Sequence, residues 1–551
     1  MSIRATLERA IEHARSTAIE AGELPPVDGM PPVALARPAN PEHGDLASNI
    51  AMQLAPIARA APMRIAETIR GHLELPDGIA EVAIAPPGFL NFRVDPAWIG
   101  SQVATVLEAR DTWGRTQADH ALRINVEFVS ANPTGPLHIG NARGAFVGDV
   151  LSRVLEAAGH EVTREYYFND FGSQVKALGA SVRAIRLGRP LPEDGYKGEY
   201  VRELADRVPA ELWEQVQAAA EPSEAEWILG RWASEDQRTG IEQSLEALGV
   251  HFDVWKEESS LHGADAWIER AVHELRERGH VYEADGATWF RSSDFGDSRD
   301  RVIYRSNGQP TYFAADIGYV AEKFSRGFDE LIYVWGENHH GAVASTRNAG
   351  AALGHDIERV RIILYSWVRF VRDGQPVAMS KRSGDFITLD DLLAEVGVDA
   401  VRWFFSSRAF TSGIDFDLGL ATSQSNENPV YYVQYAHARC SSILRNAAEA
   451  GATSNAADAG TLLTHPAEQA LIRHILDLPD TVADAAARRE THEVPRYCYE
   501  LASHFSAFYR DCRVLGDDAA LSAARLALVD ATRLTLANGL GLLGIAAPES
   551  M

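Results

Sequence analysis

The sequence predicts a multidomain α/β protein. A Rossmann-type parallel-sheet domain with a helical insertion lies between a small α+β N-terminal domain and an all-α C-terminal bundle. Three observations carry this. Residues 123–168 read as strand, Pro- and Gly-punctuated turn, helix and strand, the length of one βαβ unit. Strand-like and helix-like segments go on alternating from 121 to about 410. From 428 onward Val430, Val433, His437, Cys440 and Leu444 recur at three and four, the period of a helix. At 551 residues the chain exceeds one core, so two to four domains are expected.

In chain order, residues 1–95 form a small mixed unit. It opens on an amphipathic helix pattern after Met1-Ser2-Ile3-Arg4 and closes on strand candidates at Val82-Ala83-Ile84 and from Phe89 to Val94. Residues 96–120 hold a linker helix through Trp98, Val103 and Leu107. The sheet domain spans 121–410. Its first strand alternates Ile124, Val126 and Phe128 against Asn125 and Glu127, the pattern of a half-buried strand. A helix follows from near Ile139 through Ala145, Val150, Leu151, Val154 and Leu155 to Gly159, and a second strand runs from Glu161 to Phe168. Residues 183–260 are helical and highly charged and read as an insertion, with Tyr196-Lys197-Gly198-Glu199-Tyr200 as their most distinctive string. Leu389, Leu392, Leu393 and Val396 mark a further helix, and 411–551 form the bundle.

Two strings carry chemistry. The turn Val129-Ser130-Ala131-Asn132-Pro133-Thr134-Gly135-Pro136-Leu137-His138-Ile139-Gly140-Asn141 stands where a Rossmann-type sheet binds phosphate. Gly140 lets backbone approach a ligand, the first helical amides point at an anion, and His138 and Asn141 supply donors. Downstream, Met379-Ser380-Lys381-Arg382-Ser383-Gly384 sets cations in a Gly- and Ser-bearing loop. Such a loop can neutralise charge on a transferring pyrophosphate. Together the two read as a split nucleotide site.

Composition sets the outer limits. Hydrophobic content of 46% with 23% charged residues fits a soluble globular protein. Cys440, Cys498 and Cys512 have no paired spacing, which argues against a zinc site or a disulfide framework and for a reducing compartment. No run approaches a membrane span, so a cytoplasmic protein is expected. The net charge of −25 argues against nucleic-acid binding by bulk charge and leaves it to a local face. Salt tolerance and solubility account equally well for the acidity.

The two strings resemble the signature motifs of class I aminoacyl-tRNA synthetases. Longer ones resemble the bacterial type of the arginyl-tRNA synthetase family: Pro41-Glu42-His43-Gly44-Asp45, Pro87-Gly88-Phe89-Leu90-Asn91-Phe92, Val126-Glu127-Phe128, Thr311-Tyr312-Phe313-Ala314-Ala315-Asp316, and Asn428-Pro429-Val430-Tyr431-Tyr432-Val433-Gln434-Tyr435-Ala436-His437-Ala438-Arg439. The resemblance spans nearly the whole chain. It implies an arginine–tRNA ligase that makes arginyl-adenylate and passes the arginyl group to the 3′ adenosine of tRNA(Arg), with ATP and Mg²⁺, no tightly bound protein metal, and adenylate formation dependent on bound tRNA. A monomer is expected. The N-terminal domain would contact the tRNA D-loop and the bundle the anticodon.

The same resemblance distributes the residues. Glu127 and Asp316 would read the guanidinium through charge-assisted bonds, with Tyr312 one helical turn before Asp316 and Asn132 holding the amino-acid end. Asn338, in Trp335-Gly336-Glu337-Asn338, joins the arginine set. The neighbouring His339 and His340 could meet adenosine or arginine or be structural. ATP would lie on Gly135, His138, Gly140, Asn141, Ser380, Lys381 and Arg382, with His138, Asn141 and Lys381 acting in catalysis. Asn141 departs from the usual second histidine, and Ala378 stands where the loop commonly starts with Lys. Asn169, Asp170 and Gln174 resemble a string lining the pocket. For tRNA, Phe89 and Asn91 match the D-loop contact, although Phe89 could equally pack in the core. Tyr431, Tyr435, His437 and Arg439 match the anticodon helix, with core packing the explanation for at least half of them.

Overall fold

The computed structural model describes residues 2–26, 29–38, 40–263, 265–372, 374–376 and 389–551. Helix α1 (Ile3–Glu20) starts at Ser2, whose hydroxyl accepts the Ala5 N–H at 3.1 Å. Strands β1 (Leu35–Ala36) and β2 (Leu46–Ser48) precede helices α2 (Ile50–Ala58) and α3 (Pro62–Gly71), and β3 (Ile79–Ala85) and β4 (Phe89–Val94) follow. The four strands form an antiparallel sheet in the order β1-β2-β4-β3. Helix α4 (Pro96–Ala109) leaves this unit with Asp95 as its cap, the carboxylate accepting the Ala97 N–H at 2.9 Å.

The central sheet is built from β5 (Arg123–Phe128), α5 (Ile139–Ala157) and β6 (Glu161–Phe168), then helices α6 (Ser173–Arg186), α7 (Glu199–Arg207), α8 (Ala210–Ala218) and α9 (Pro222–Ala247) leading to β7 (Val254–Glu257). Helix α10 (Trp267–Glu277) and an antiparallel trio, β8 (Val281–Ala284), β9 (Ala287–Phe290) and β10 (Arg301–Tyr304), precede α11 (Tyr312–Ser325), β11 (Glu330–Gly336), α12 (His340–Ala352) and β12 (Val360–Tyr365). The five long-range strands run parallel in the order β12-β11-β5-β6-β7. Chain direction across the sheet therefore reverses between β5 and β11, and the crevice beyond their carboxyl ends is where such sheets take ligands.

The rest comprises β13 (Val368–Arg372), β14 (Gln375–Pro376), α13 (Leu389–Val396), α14 (Val398–Ser406), β15 (Ile414–Asp417) and α15 (Leu418–Thr422). The bundle follows as α16 (Pro429–Glu449), α17 (Ala459–Leu462), α18 (Pro466–Leu476), α19 (Leu478–Arg488), α20 (Glu493–Asp511) and α21 (Ala519–Leu542). Among the described residues no helix is long and apolar enough to cross a membrane, and all three cysteines are buried free thiols.

Three expectations change. Strand β5 is buried on both faces: Asn125 is 0% and Glu127 4% exposed. Helices cover both sides of a parallel sheet, so alternation here separates an apolar core from a buried polar network, not core from solvent. The segment 183–260 is helical as far as Ala247 but ends in β7, which pairs with β6, so its last part belongs to the sheet. A boundary at 411 falls before β15, which pairs in parallel with β13; the bundle proper begins at α16. Both strands have four residues, too few to show a period.

Candidate active site

The turn after β5 is strained and held. Val129 and Ser130 adopt φ of 65° and 40°, the left-handed region that a β-branched residue avoids, and the Ser130 N–H closes back on the Phe128 carbonyl at 2.9 Å. Side chains over-determine the bend. The Ser130 hydroxyl donates to Glu127 at 3.1 Å and accepts the Tyr167 N–H at 3.1 Å, and the Tyr166 hydroxyl donates to the Ala131 carbonyl at 2.8 Å. The turn thereby presents Asn132, Gly135 and His138 over the crevice. Glycine spacing fixes the helix that follows. A Cβ on Gly148 would stand 2.1 Å from the Phe128 ring and one on Gly144 2.9 Å from Tyr365, so α5 can lie against β5 and β12 only with bare backbone there.

A cavity of about 900 Å³ occupies the crevice. Its lining includes Glu127, Asn132, Tyr312, Asp316 and Asn338 together with Gly135, His138, Gly140 and Asn141. Residues 211 positions apart in sequence, Glu127 and Asn338, are thus brought to one site by β5, the turn, α11 and the segment after β11. Ser380, Lys381, Arg382 and Ala378 lie outside the described residues. His339 lines the cavity, whereas His340 is exposed at the start of α12. Asn169 lines it too, but Asp170 accepts the Ser259 N–H at 2.8 Å and Gln174 lies half-buried on α6.

Burial and charge divide the two candidate acids. Glu127 already has a cation: it accepts from the Lys323 ammonium at 2.6 Å, and Lys323 is 0% exposed, with its Nζ 4.5 and 4.0 Å from the centres of the Tyr319 and Tyr333 rings. Behind it Glu165 accepts from Arg326 at 2.6 and 2.9 Å and from Asn125 at 2.9 Å. Burial pushes the Glu165 carboxyl up, but Lys323 and Arg326 outweigh it and hold the group at about 2. Asp316 has no hydrogen-bond or ion-pair partner among the described residues. Burial, then the carboxylates of Glu258 and Glu127, push its carboxyl up to about 7. An under-compensated carboxyl lining a cavity calls for a cation. Tyr312, by contrast, is 57% exposed at the first turn of α11.

At the other end, Asn141 helps cap α5: its side-chain oxygen accepts the His138 N–H at 3.2 Å. Only its amide nitrogen is left as a donor toward a ligand. Burial lowers the His138 pKa, favouring the neutral ring. Arg143, 1% exposed, is no phosphate ligand. Its guanidinium donates to the carbonyls of Ser366, Trp367, Ala409 and Ser412 at 2.7 to 3.2 Å, tying α5 to the segments around β13. The hydroxyls of Tyr333 and Thr346 line the cavity without hydrogen-bond partners among the described residues. Among those residues, no group of three or more His, Cys, Asp or Glu has metal-holding geometry.

Sequence reasoning missed Lys323, Glu165, Glu258 and Tyr333. A signal existed for the first: Asp316, Tyr319, Lys323 and Arg326 recur at three and four along α11, a polar stripe inside an otherwise apolar helix. The RNA candidates lie elsewhere. Asn91 is 8% exposed in the central strand β4, with Phe89 half-buried at its start. On α16, Tyr431 and Tyr435 stack at 6.3 Å, and Arg439, exposed, donates to the Tyr435 hydroxyl at 2.7 Å. His437 is one of the residues of that helix that pack in the core: it is 2% exposed, and its ring nitrogen is bonded to the Pro548 carbonyl at 2.8 Å.

Comparison with known proteins covers the chain in three parts. Residues 2–94 match the arginyl tRNA synthetase N terminal domain, 102–187 and 237–404 the catalytic domain of tRNA synthetases class I (R), and 433–551 the DALR anticodon binding domain. An arginine–tRNA ligase of Moorella thermoacetica is 45% identical over 553 residues, covering 99% of this chain and 98% of that one. One from Frankia alni is 47% identical over 557 residues, covering 99% and 100%. The solved arginyl-tRNA synthetase of Thermus thermophilus superposes with a TM-score of 0.79 at 26% identity, over 99% of this chain and 100% of that one.

Proposed function

The chain belongs to the arginyl-tRNA synthetase family, and we propose that its crevice joins arginine to tRNA(Arg) with the division of labour that follows. It is an ATP-dependent aminoacyl-tRNA ligase specific for arginine. In the first step the arginine carboxylate attacks the α-phosphorus of ATP and pyrophosphate leaves. In the second, a ribose hydroxyl of the terminal adenosine attacks the arginyl carbonyl carbon, and AMP leaves.

The observation that carries the assignment of the pocket is Asp316, a carboxyl without a partner among the described residues, beside two acids that have partners, Glu127 with Lys323 and Glu258 with His262. Asp316 receives the guanidinium, and Glu127, fixed by Lys323 and Ser130, supports the floor of the pocket. Tyr312 and Asn338 border the arginine, and Asn132 holds its amino-acid end. His138, with a neutral ring, and the amide nitrogen of Asn141 donate to phosphate beside the bare backbone of Gly135 and Gly140. Ser380, Lys381 and Arg382 neutralise the departing pyrophosphate, with Lys381 the main cation. Mg²⁺ would come on the nucleotide's own phosphates: among the described residues no acid cluster fits it, and no step is assigned to it. Phe89 and Asn91 serve the D-loop, and Tyr431, Tyr435 and Arg439 the anticodon. The reading extends to a monomer acting in the cytoplasm.

Exchange of labelled pyrophosphate into ATP tests the activation step. With tRNA present, exchange is expected with arginine and with no other amino acid. Equal exchange with lysine would remove the guanidinium reading.

A further inference from the structure

Arg143 is the one arginine or lysine among the described residues that lines the cavity, where the acids are Glu127, Asp316 and Glu337. It opens the second turn of α5, five positions after His138 at the helix cap. Although it is almost wholly buried, no carboxylate pairs with it among the described residues. Its guanidinium donates to four carbonyl oxygens, and its Nε has no partner there. The titratable groups that act on it are Tyr365, whose hydroxyl donates to the Gly140 carbonyl at 3.3 Å, and Glu337, exposed after β11; neither forms a hydrogen bond or ion pair with it. Burial pulls the guanidinium down to about 10, and these two groups offset only part of that. Arg402, equally buried, has the carboxylate of Asp149 at 2.8 Å. A buried cation without such a counterion is costly.

We propose that the polyphosphate of ATP is the counterion of Arg143, a positioning residue whose charge draws the phosphates onto the start of α5 without touching them. The proposal rests on the ligase reading, which sets the phosphates at His138 and Gly140. An anion there meets the amino end of α5, and the buried charge stands one helical turn further along the same helix. Because Arg143 is buried, its field passes through protein rather than water and is screened far less than that of a surface charge. His138, with a neutral ring, and the Asn141 amide bring no charge of their own to that end of the cavity. The carbonyl partners fix the guanidinium before the nucleotide arrives, and being neutral they leave its charge uncancelled, as a carboxylate would not.

A lysine at position 143 keeps the charge but can lose it, since burial lowers the pKa of an ammonium. Equilibrium binding of ATP and of adenosine is measured, without arginine or tRNA, for the unmodified chain, Arg143→Lys and Arg143→Met, from about pH 7.5 to about pH 9, where the phosphates of ATP stay ionised. The ratio of the two affinities reads the phosphates alone, because adenosine supplies the same base and ribose. In the unmodified chain the ratio should hold within about twofold across this window. In Arg143→Lys it should start near that value and fall roughly tenfold as the ammonium loses its proton; in Arg143→Met it should be about tenfold lower throughout. A ratio that stays flat in Arg143→Lys overturns the proposal. So does a variant in which ATP and adenosine weaken together with their ratio kept, the mark of a purely structural arginine, or an unmodified chain that binds the two equally. Arg143→Lys is compared with itself across pH, so the test stands even where Arg143→Met does not fold. Charging of tRNA by the unmodified chain, measured alongside, tests the ligase reading separately.

Discussion

At Asp316, the fit between residue and ligand can be read as a proton. With its carboxyl at about 7 in the free protein, part of the population is protonated at neutral pH, and a guanidinium binds only the ionised form. Arginine affinity should therefore rise with pH up to about 7 and level off above it, with protons released on binding below that point. Calorimetry in two buffers of different ionisation enthalpy measures the release. The sign for stability is opposite. A carboxyl raised from 3.8 in the unfolded chain to about 7 in the folded one makes the free protein lose stability as pH climbs through that window, and bound arginine restores it. Asp316→Asn should flatten the affinity profile and weaken arginine use by about 1.5–3 kcal/mol, with ATP use little changed. A profile that keeps its slope in that variant would contradict the assignment. That Asp316 lines the cavity was legible because it stands in a distinctive string one turn after Tyr312. The pairing of Glu127 was not, because a lysine 196 positions away reads as a surface residue until α11 is folded over β5.

Helix α11 acts as the lid of the sheet's polar face. Its stripe from Asp316 to Arg326 neutralises the acids that β5 and β6 bury, leaving Asp316 at one end over the cavity. Lys323→Met should destabilise the protein by about 3–5 kcal/mol, because Glu127 would be left as a buried charge without its cation. A lowered thermal midpoint, with arginine use also weakened, is the expected result; an unchanged midpoint would mean that water reaches Glu127. Acid should bring a related loss. The stability that Glu165 contributes is present above its unfolded value of 4.5 and disappears as pH falls through about 2. At this scale the βαβ unit was legible to within a residue or two, since proline and glycine punctuate the turn and Gly159 ends the helix. Strands β7 and β15 were not. Each is set by pairing with a neighbour, β6 or β13, that lies far away in sequence.

The domains are joined by buried arginines and close backbone contacts that no local pattern foretells. Arg402, 0% exposed, donates to Asp149 on α5 at 2.8 Å, to the Leu248 carbonyl after α9 at 2.7 Å and to the Leu543 carbonyl after α21 at 2.9 Å. The N-terminal unit meets the bundle through Arg4 with Asp484 at 2.8 Å and Asp45 with Arg473 at 3.1 Å, and Gly100 on α4 lies against the Ala459 carbonyl where a Cβ would come within 2.7 Å. Arg402→Met should loosen sheet, insertion and bundle together, costing about 3–5 kcal/mol and appearing as one lowered thermal midpoint. A shift confined to bundle fluorescence would show that the three regions melt apart. Such contacts lie outside sequence reading because they depend on the packed whole. The order of domains did not, since helical period and α/β alternation change within the sequence itself. The most direct measurement of the whole account is charging of total tRNA by the purified chain, with ATP and each of the amino acids in turn. The account predicts that arginine alone is esterified, and only to arginine-accepting tRNA. Charging with another amino acid, or of other tRNAs with arginine, would contradict it.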